Sequence, residues 1–353
     1  MPELSQDTKK IAVMGAGLIG TRHIEGVLAE PRTTLAAVID PSDAARDATR
    51  ANSLPWFASL PEALAESRPD GIIIATPNRL HVAHALEAIA YGIPALIEKP
   101  IADHAEEAAN LVRAADAAGV PILIGHHRRY NPIIGEAKRI LESGRLGTIL
   151  VAHGSFWAAK PADYFKIEWR RQPGAGPAFI NLIHDVDLFR FLLGEVESVH
   201  AMESSAARNY EVEDTAAVLL RFVNGTLATL TASDAASSPW SWEMTSGENP
   251  VFPQQRQTCY QIGGTTGALA IPELKLWEYA GAPDWLQPLR AERVSVTPAD
   301  PLMLQLRHFC DVIEGRAAPL VSGEEGLATL RVVEGIKASA RTGRTIVLER
   351  SRP

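Results

Sequence analysis

The 353 residues carry 46% apolar and 22% charged side chains, ordinary proportions for a globular chain long enough for two domains. A net charge of −8 argues against nucleic acid or an anionic membrane as main partner, and Cys259 and Cys310 are too few for a disulfide framework or a cysteine-ligated metal. Met1–Lys10 is polar with no export signal, and no apolar run approaches a membrane span, so a cytoplasmic protein is expected.

The first 125 residues alternate strand and helix patterns. Apolar β-type runs occur at Lys10–Met14, Leu35–Ile39, Gly71–Ala75, Ala95–Ile97 and Ile122–Gly125. Gly15-Ala16-Gly17-Leu18-Ile19-Gly20 follows the first run and opens a helix. Such glycines permit a tight turn and bring a pyrophosphate close to a helix N-terminus, where free N–H groups and the helix dipole favour an anion. Asp40 ends the second run, twenty residues after Gly20, where a carboxylate bonds adenosine ribose hydroxyls and repels a 2′-phosphate. NAD is therefore expected as cofactor, rather than NADP.

Thr76-Pro77-Asn78 ends the Gly71–Ala75 run, with Thr76 as expected cap, Pro77 at the first helical position and the backbone facing the dinucleotide. Val82, Leu86, Ile89 and Ala90 continue that helix to Gly92. His81 and His84 share a face, but no carboxylate or cysteine accompanies them, so surface histidines are expected and no metal ligand is assigned. The Ala95–Ile97 run ends on Glu98-Lys99-Pro100. Ligands bind at the carboxyl ends of parallel strands, which places Lys99 at a cleft. The alternative is a solvated loop lysine. Asp103-x-x-Glu106 resembles a capping box for a helix that stops at Gly119. Strands and helices joined by such short links make a doubly wound parallel sheet.

From Asn131 the pattern changes. Asn131-Pro132 opens a helix to about Ser143, a strand follows at Thr148–Trp157, and a long helix is readable from Pro177 to Leu193, closed by Gly194. Strand patterns then follow at Glu197–Met202, Thr215–Phe222, Thr226–Thr231, Cys259–Gly263, Ala268–Ile271 and Lys275–Tyr279, with Asn224-Gly225 as a hairpin turn. Consecutive strands predict a mostly antiparallel sheet, and Ser322-x-x-Glu325 starts a last helix to about Thr342. Val218, Leu220 and Phe222 share one strand face, Leu219 and Arg221 the other; neither is wholly polar, which predicts a homodimer or homotetramer built through this sheet.

On the long helix, Leu182, Val186, Phe189 and Leu193 form a core stripe. Asn181, His184 and Asp185 cluster on the other side, as a cleft wall or around a hydrogen-bonded structural histidine. The loop Ser233–Gln257 carries Trp240, Trp242 and Glu243. Its tryptophans either pack beneath the loop or cover the C–H face of a sugar ring, with Glu243 bonding a hydroxyl.

Together these segments resemble the Gfo/Idh/MocA family of nicotinamide oxidoreductases. The matching residues are Gly15–Gly20 with His23, Thr76-Pro77-Asn78-x-x-His81, Glu98-Lys99-Pro100, Arg128-Arg129-Tyr130-Asn131-Pro132 and His184-Asp185-x-Asp187, with Gly263–Leu269 and Ser322–Gly326 in support. The resemblance covers essentially the whole chain. It implies a Rossmann domain, here 1–125, then an α+β substrate-binding and oligomerisation domain, here 126–353. It implies that Lys99 and His184 are catalytic and meet beside the nicotinamide. Gly15, Gly17, Leu18, Ile19, Gly20, Asp40, Thr76, Pro77, Asn78, His81, Glu98 and Lys99 would contact the cofactor, and Asn181, Asp185, Arg129 and Trp169 the substrate. Many relatives carry an Asp four residues before that His, where this chain has Ile180. The expected function is NAD-dependent oxidation or reduction at a secondary alcohol of a sugar, cyclitol or related polyol. An NAD-assisted glycosidase and a non-catalytic NAD(H)-binding protein are the alternatives.

Overall fold

The computed structural model describes residues 8–348, so most of Met1–Lys10, read above for export signals, lies outside the described residues. The chain opens with β1 (Lys9–Met14), α1 (Leu18–Ala29), β2 (Thr33–Ile39), α2 (Asp43–Ala51), β3 (Trp56–Phe57), α3 (Leu60–Glu66) and β4 (Gly71–Ile74). α4 (His81–Ala90), β5 (Ala95–Ile97), α5 (Ala105–Ala118) and β6 (Ile122–Ile124) follow. All six strands are parallel, in the order β3-β2-β1-β4-β5-β6. The chain steps outward from β1 to β3, then crosses to β4, so strand order reverses between β1 and β4. That is the switch point at which such sheets bind ligands. β4, Gly-Ile-Ile-Ile, is buried at every position, as an interior parallel strand covered on both faces must be.

Three local expectations in this stretch change. α4 begins at His81, because Pro77 is extended (φ −56°, ψ 141°) and Asn78–Leu80 form a 3₁₀ turn. The Thr76 hydroxyl does not cap it; it lies 3.1 Å from His84 Nδ1 instead. α5 is capped at His104, one residue later than Asp103. β3, too short for a periodic signal, is tied down by Trp56 Nε1 donating to Asp40 O at 2.9 Å.

α6 (Pro132–Glu142) starts behind Asn131, whose side chain accepts from Ile133 N, and β7 (Ile149–Trp157) follows. The expected single helix from Pro177 to Leu193 is two helices, α7 (Pro177–Ile180) and α8 (Leu182–Leu193). Asn181 interrupts them with φ −104° and its carbonyl turned to His184 N, and short polar side chains favour such breaks. Next come β8 (Val196–Ser204), β9 (Thr215–Phe222), β10 (Leu227–Ser233), α9 (Trp242–Thr245), β11 (Tyr260–Gly264), β12 (Gly267–Ile271), β13 (Lys275–Glu278) and β14 (Arg290–Arg293). α10 (Pro301–Ile313), α11 (Gly323–Thr342) and β15 (Ile346–Val347) complete the described chain.

The second sheet has nine strands, in the order β14-β13-β12-β11-β7-β10-β9-β8-β15. β7 and β10 are parallel neighbours, Val151 opposite Leu227 through Trp157 opposite Ser233; the other pairings are antiparallel. Along β9, Ala216, Val218, Leu220 and Phe222 are buried against a core that includes Phe189, Tyr260 and Trp242, while Leu219 and Arg221 lie exposed. The expected ranges, 1–125 and 126–353, differ from the observed compact units, which are 1–127 with 300–330 and 128–299 with 331–353. The return of 300–330 has a packing cause. Leu306, Phe309 and Val312 of α10 fill the same core as Ile11, Val13, Ile73 and Leu96.

Candidate active site

The glycine loop closes tightly on the switch point. Gly15 has φ +94°, and a Cβ there would lie 2.6 Å from Ala75 O. A Cβ on Gly20 would lie 2.0 Å from Gly15 O. Gly17, by contrast, has nothing within 4 Å, and no side chain caps the first turn of α1. Leu18, which opens α1, is 91% exposed, so the helix start is accessible and its leading N–H groups have no intrahelical partner. Crowded glycines behind and a free helix start in front fit a pyrophosphate.

Asp40, at the end of β2, accepts from Ala16 N at 2.9 Å and from Ser42 N and Oγ at 2.9 and 2.6 Å. Burial pushes its carboxyl up, but these donors outweigh burial and hold it below the usual range. The carboxylate thus stays ionised while it fixes the glycine loop against the second strand.

Lys99 follows β5 and is partly exposed; its peptide to Pro100 is cis. Glu98 and His81 were expected to contact a cofactor, and both side chains point inward instead. Glu98 is buried; His23 Nε2 donates to its Oε1 at 2.8 Å, and its Oε2 accepts from Lys99 N at 3.2 Å. Burial pushes the Glu98 carboxyl up, yet His23, with His127 and Lys99, holds it at about 2. His81 is no surface histidine. Its ring is buried, 2.8 Å from Thr76 O on one side and from Pro100 O on the other, so it ties the loops after β4 and β5 together.

In the second unit, α8 begins with Asn181 and His184 together. The substrate contacts expected of Arg129 and Asp185 do not fit their surroundings. Arg129 is buried and its fork is held by Asp187, Nε to Oδ2 at 2.9 Å and Nη2 to Oδ1 at 2.7 Å. Asp185 lies inside the core, where Tyr260 donates its hydroxyl to Oδ1. Burial raises the Asp185 carboxyl to about 7, against the pull of Arg128. Trp169 sits half-exposed in a 3₁₀ turn, 5.5 Å from the Arg170 guanidinium. Glu243 is no free rim carboxylate, because Arg128 pairs with it.

Sequence reasoning missed the residues after the parallel strands β7 and β10. Lys160 Nζ donates to Asn181 Oδ1 at 3.0 Å and lies 3.2 Å from Asp234 Oδ2. The backbone agrees, with Lys160 N donating to Asp234 O at 2.8 Å. A signal was available: Lys160-Pro161 follows a strand just as Lys99-Pro100 does. Trp240 packs edge-on against Trp157 at 5.3 Å beside the same strand ends.

Residues 9–126 match the model of the oxidoreductase family with an NAD-binding Rossmann fold, and residues 134–270 match the GFO/IDH/MocA C-terminal domain. The rhizopine catabolism protein MocA of Rhizobium meliloti is 31% identical over 53% of this chain and 57% of its own length. Inositol 2-dehydrogenase 2 of Saccharopolyspora erythraea is 28% identical over 62% of this chain and 65% of its own. The matched part of the chain thus spans less than two thirds of either relative. The WlbA dehydrogenase of Bordetella pertussis, solved with NADH and UDP-GlcNAcA, superposes with a TM-score of 0.78 at 27% identity, over 98% of this chain and all of that one.

Proposed function

The chain belongs to the Gfo/Idh/MocA family of NAD-binding oxidoreductases, and we propose that it moves a hydride between a secondary alcohol of a sugar, cyclitol or related polyol and the nicotinamide. The observation that carries this reading is that Lys99 and the glycine loop lie at the carboxyl ends of strands in one parallel sheet, on β5 and β1 with β4 between them. An inositol 2-dehydrogenase and a dehydrogenase solved in complex with NADH and UDP-GlcNAcA, both among the similar proteins, support it.

In this mechanism the nicotinamide, when bound, takes up or returns the hydride. His184 takes the hydroxyl proton as general base. The Lys99 ammonium supplies a donor that stabilises negative charge developing on an alcohol oxygen. Glu98 and His23 hold the Lys99 backbone, His81 fixes the loops on either side, and Asp40 selects NAD by its charge. Asn181 orients the polyol. The test is absorbance at 340 nm across a panel of polyols, sugars and sugar acids with NAD and NADP. Net NADH change supports the proposal. Product without net change points to the glycosidase, and neither to a binder without turnover.

We also infer that the open face of the nine-stranded sheet is covered by a second copy of the chain. Val151, Leu219 and Leu227 are each about half-exposed on that face and line a trough of about 870 Å³ with His153, His200 and Trp277. Closed symmetric association is the usual way to bury such a surface.

A further inference from the structure

Lys160 is a cation short of counter-charge. Only 14% of its side chain is exposed, and its ammonium lies over the Tyr164 ring at 4.8 Å. The carboxylate beside it, Asp234, is shared: Arg208 donates to Asp234 Oδ1 and to its backbone oxygen. A third cation, Arg170, stacks on the same Tyr164 ring at 4.0 Å. The other nearby carboxylates are committed elsewhere. Asp214 accepts from the backbone of Ala207 and Arg208 and from the Thr215 hydroxyl, and Glu243 pairs with Arg128. Burial pushes the Lys160 ammonium down and Arg208 adds to that, while Asp234 and, less, Glu243 offset it only in part.

The donors left over are specific in number. An ammonium has three hydrogens. Lys160 gives one to Asn181 and one to Asp234, which leaves one. Because Asn181 Oδ1 accepts from Lys160, the Asn181 amide must turn its Nδ2 hydrogens the other way, one helical turn from His184. Two such donors and one surplus positive charge match a planar, singly charged carboxylate better than a phosphate dianion.

We propose that Lys160 and Asn181 read a carboxylate on the substrate, so that the polyol oxidised is a sugar acid or a comparable hydroxylated carboxylate. The inference rests on the dehydrogenase reading above, and it deepens that reading by naming the substrate class.

The test uses matched compounds: glucose with glucuronate, galactose with galacturonate, and glucose 6-phosphate as a competing anion. Each is measured for kcat/KM with NAD and, independently of turnover, for Kd by calorimetry with NADH present. The expected result is that wild type favours the acids, and that Lys160→Met loses roughly 30-fold or more on the acids, collapsing the acid-to-neutral ratio. Lys160→Arg restores most of that ratio, and Asn181→Ala shifts it in the same direction as Lys160→Met should the latter not fold. Equal or better binding of neutral sugars or the phosphate by wild type overturns the proposal. So does an acid preference that survives Lys160→Met, or a panel in which nothing binds. Acids that bind through Lys160 without any NADH change would leave this inference standing and sink the dehydrogenase reading instead.

Discussion

His23 Nε2 lies 2.8 Å from Glu98 Oε1, joining the helix behind the glycine loop to the segment that carries Lys99. Both side chains are buried, and Glu98 also accepts from the Lys99 backbone at 3.2 Å. The helix that follows the glycine turn and the Lys99 backbone are thereby held in one frame.

This pair gives the protein an acid-sensitive element. The folded Glu98 carboxyl is held at about 2 against an ordinary 4.5, so between those values the unfolded chain binds more protons than the folded one. Stability from Glu98 is complete above about pH 4.5 and is lost as pH falls toward 2. A shift of that size corresponds to on the order of 3 kcal/mol. Glu98→Gln should therefore be less stable than wild type in urea at pH 6, with the gap narrowing between pH 5 and pH 3. A gap that stays constant across that range would mean that the pair is not coupled as described.

Lys99→Ala and His184→Ala should each lower turnover by ~10²–10⁴-fold, the usual cost of losing a general base or an equally placed donor. NAD binding, followed by calorimetry, should survive both changes, because the glycine loop and Asp40 are untouched. Near wild-type activity in His184→Ala removes that residue from the mechanism. Asn181→Ala should act mainly on KM.

NAD should give the higher kcat/KM. Asp40 is ionised and fixed by Ala16 and Ser42. The nearest cation that could hold a 2′-phosphate, Arg46, is already paired with Asp43 and Asp47. Asp40→Ala should narrow the preference. A wild-type enzyme that favours NADP would show that Asp40 does not face the ribose.

Some of this was readable in the chain and some was not, for definite reasons. β1, β2, β4, β5 and the glycine loop were legible because each is a local apolar run closed by a turn residue. β3 was not, with two residues and no period. α10 was missed in the Asp300–Arg316 region, and its return to the first unit depends on Phe309 meeting Ile11 and Ile73, contacts too distant in sequence for a local pattern to show. Arg129 looked functional as part of the Arg128–Pro132 segment that resembles the family, and Asp185 because it is polar and next to His184. Only their partners, Asp187 and Tyr260, reveal that they face inward. Lys160 was overlooked because its significance lies in Asn181 and Asp234, which approach from two other elements.

The homo-oligomer proposed above should come apart when its sheet face is charged. Leu219→Glu combined with Leu227→Glu places two carboxylates on a half-exposed apolar surface while the buried side of β9 keeps Val218 and Leu220. Light scattering at micromolar concentration should report an oligomer for wild type and a monomer mass for the double variant. A wild type of monomer mass would end the idea.

The two tryptophans of the long loop should separate in their effects. Trp242 is 1% exposed and stacks on Tyr260, with ring centroids 5.9 Å apart and an interplanar angle of 11°. The Arg128 guanidinium lies over the Trp242 ring, 5.9 Å from its centroid. Removing such a side chain leaves a cavity and typically costs about 3–5 kcal/mol, so Trp242→Ala should lower Tm markedly. Trp240 is 41% exposed, its carbonyl accepts from Trp157 N, and its ring meets Trp157 edge-on. Little core is lost with it, so Trp240→Ala should keep Tm near wild type. If the Trp157–Trp240 shelf covers the C–H face of the bound polyol, beside Lys160 at the ends of β7 and β10, the same variant should raise KM with kcat nearly unchanged. A lowered Tm with an unchanged KM in Trp240→Ala would return this residue, too, to packing.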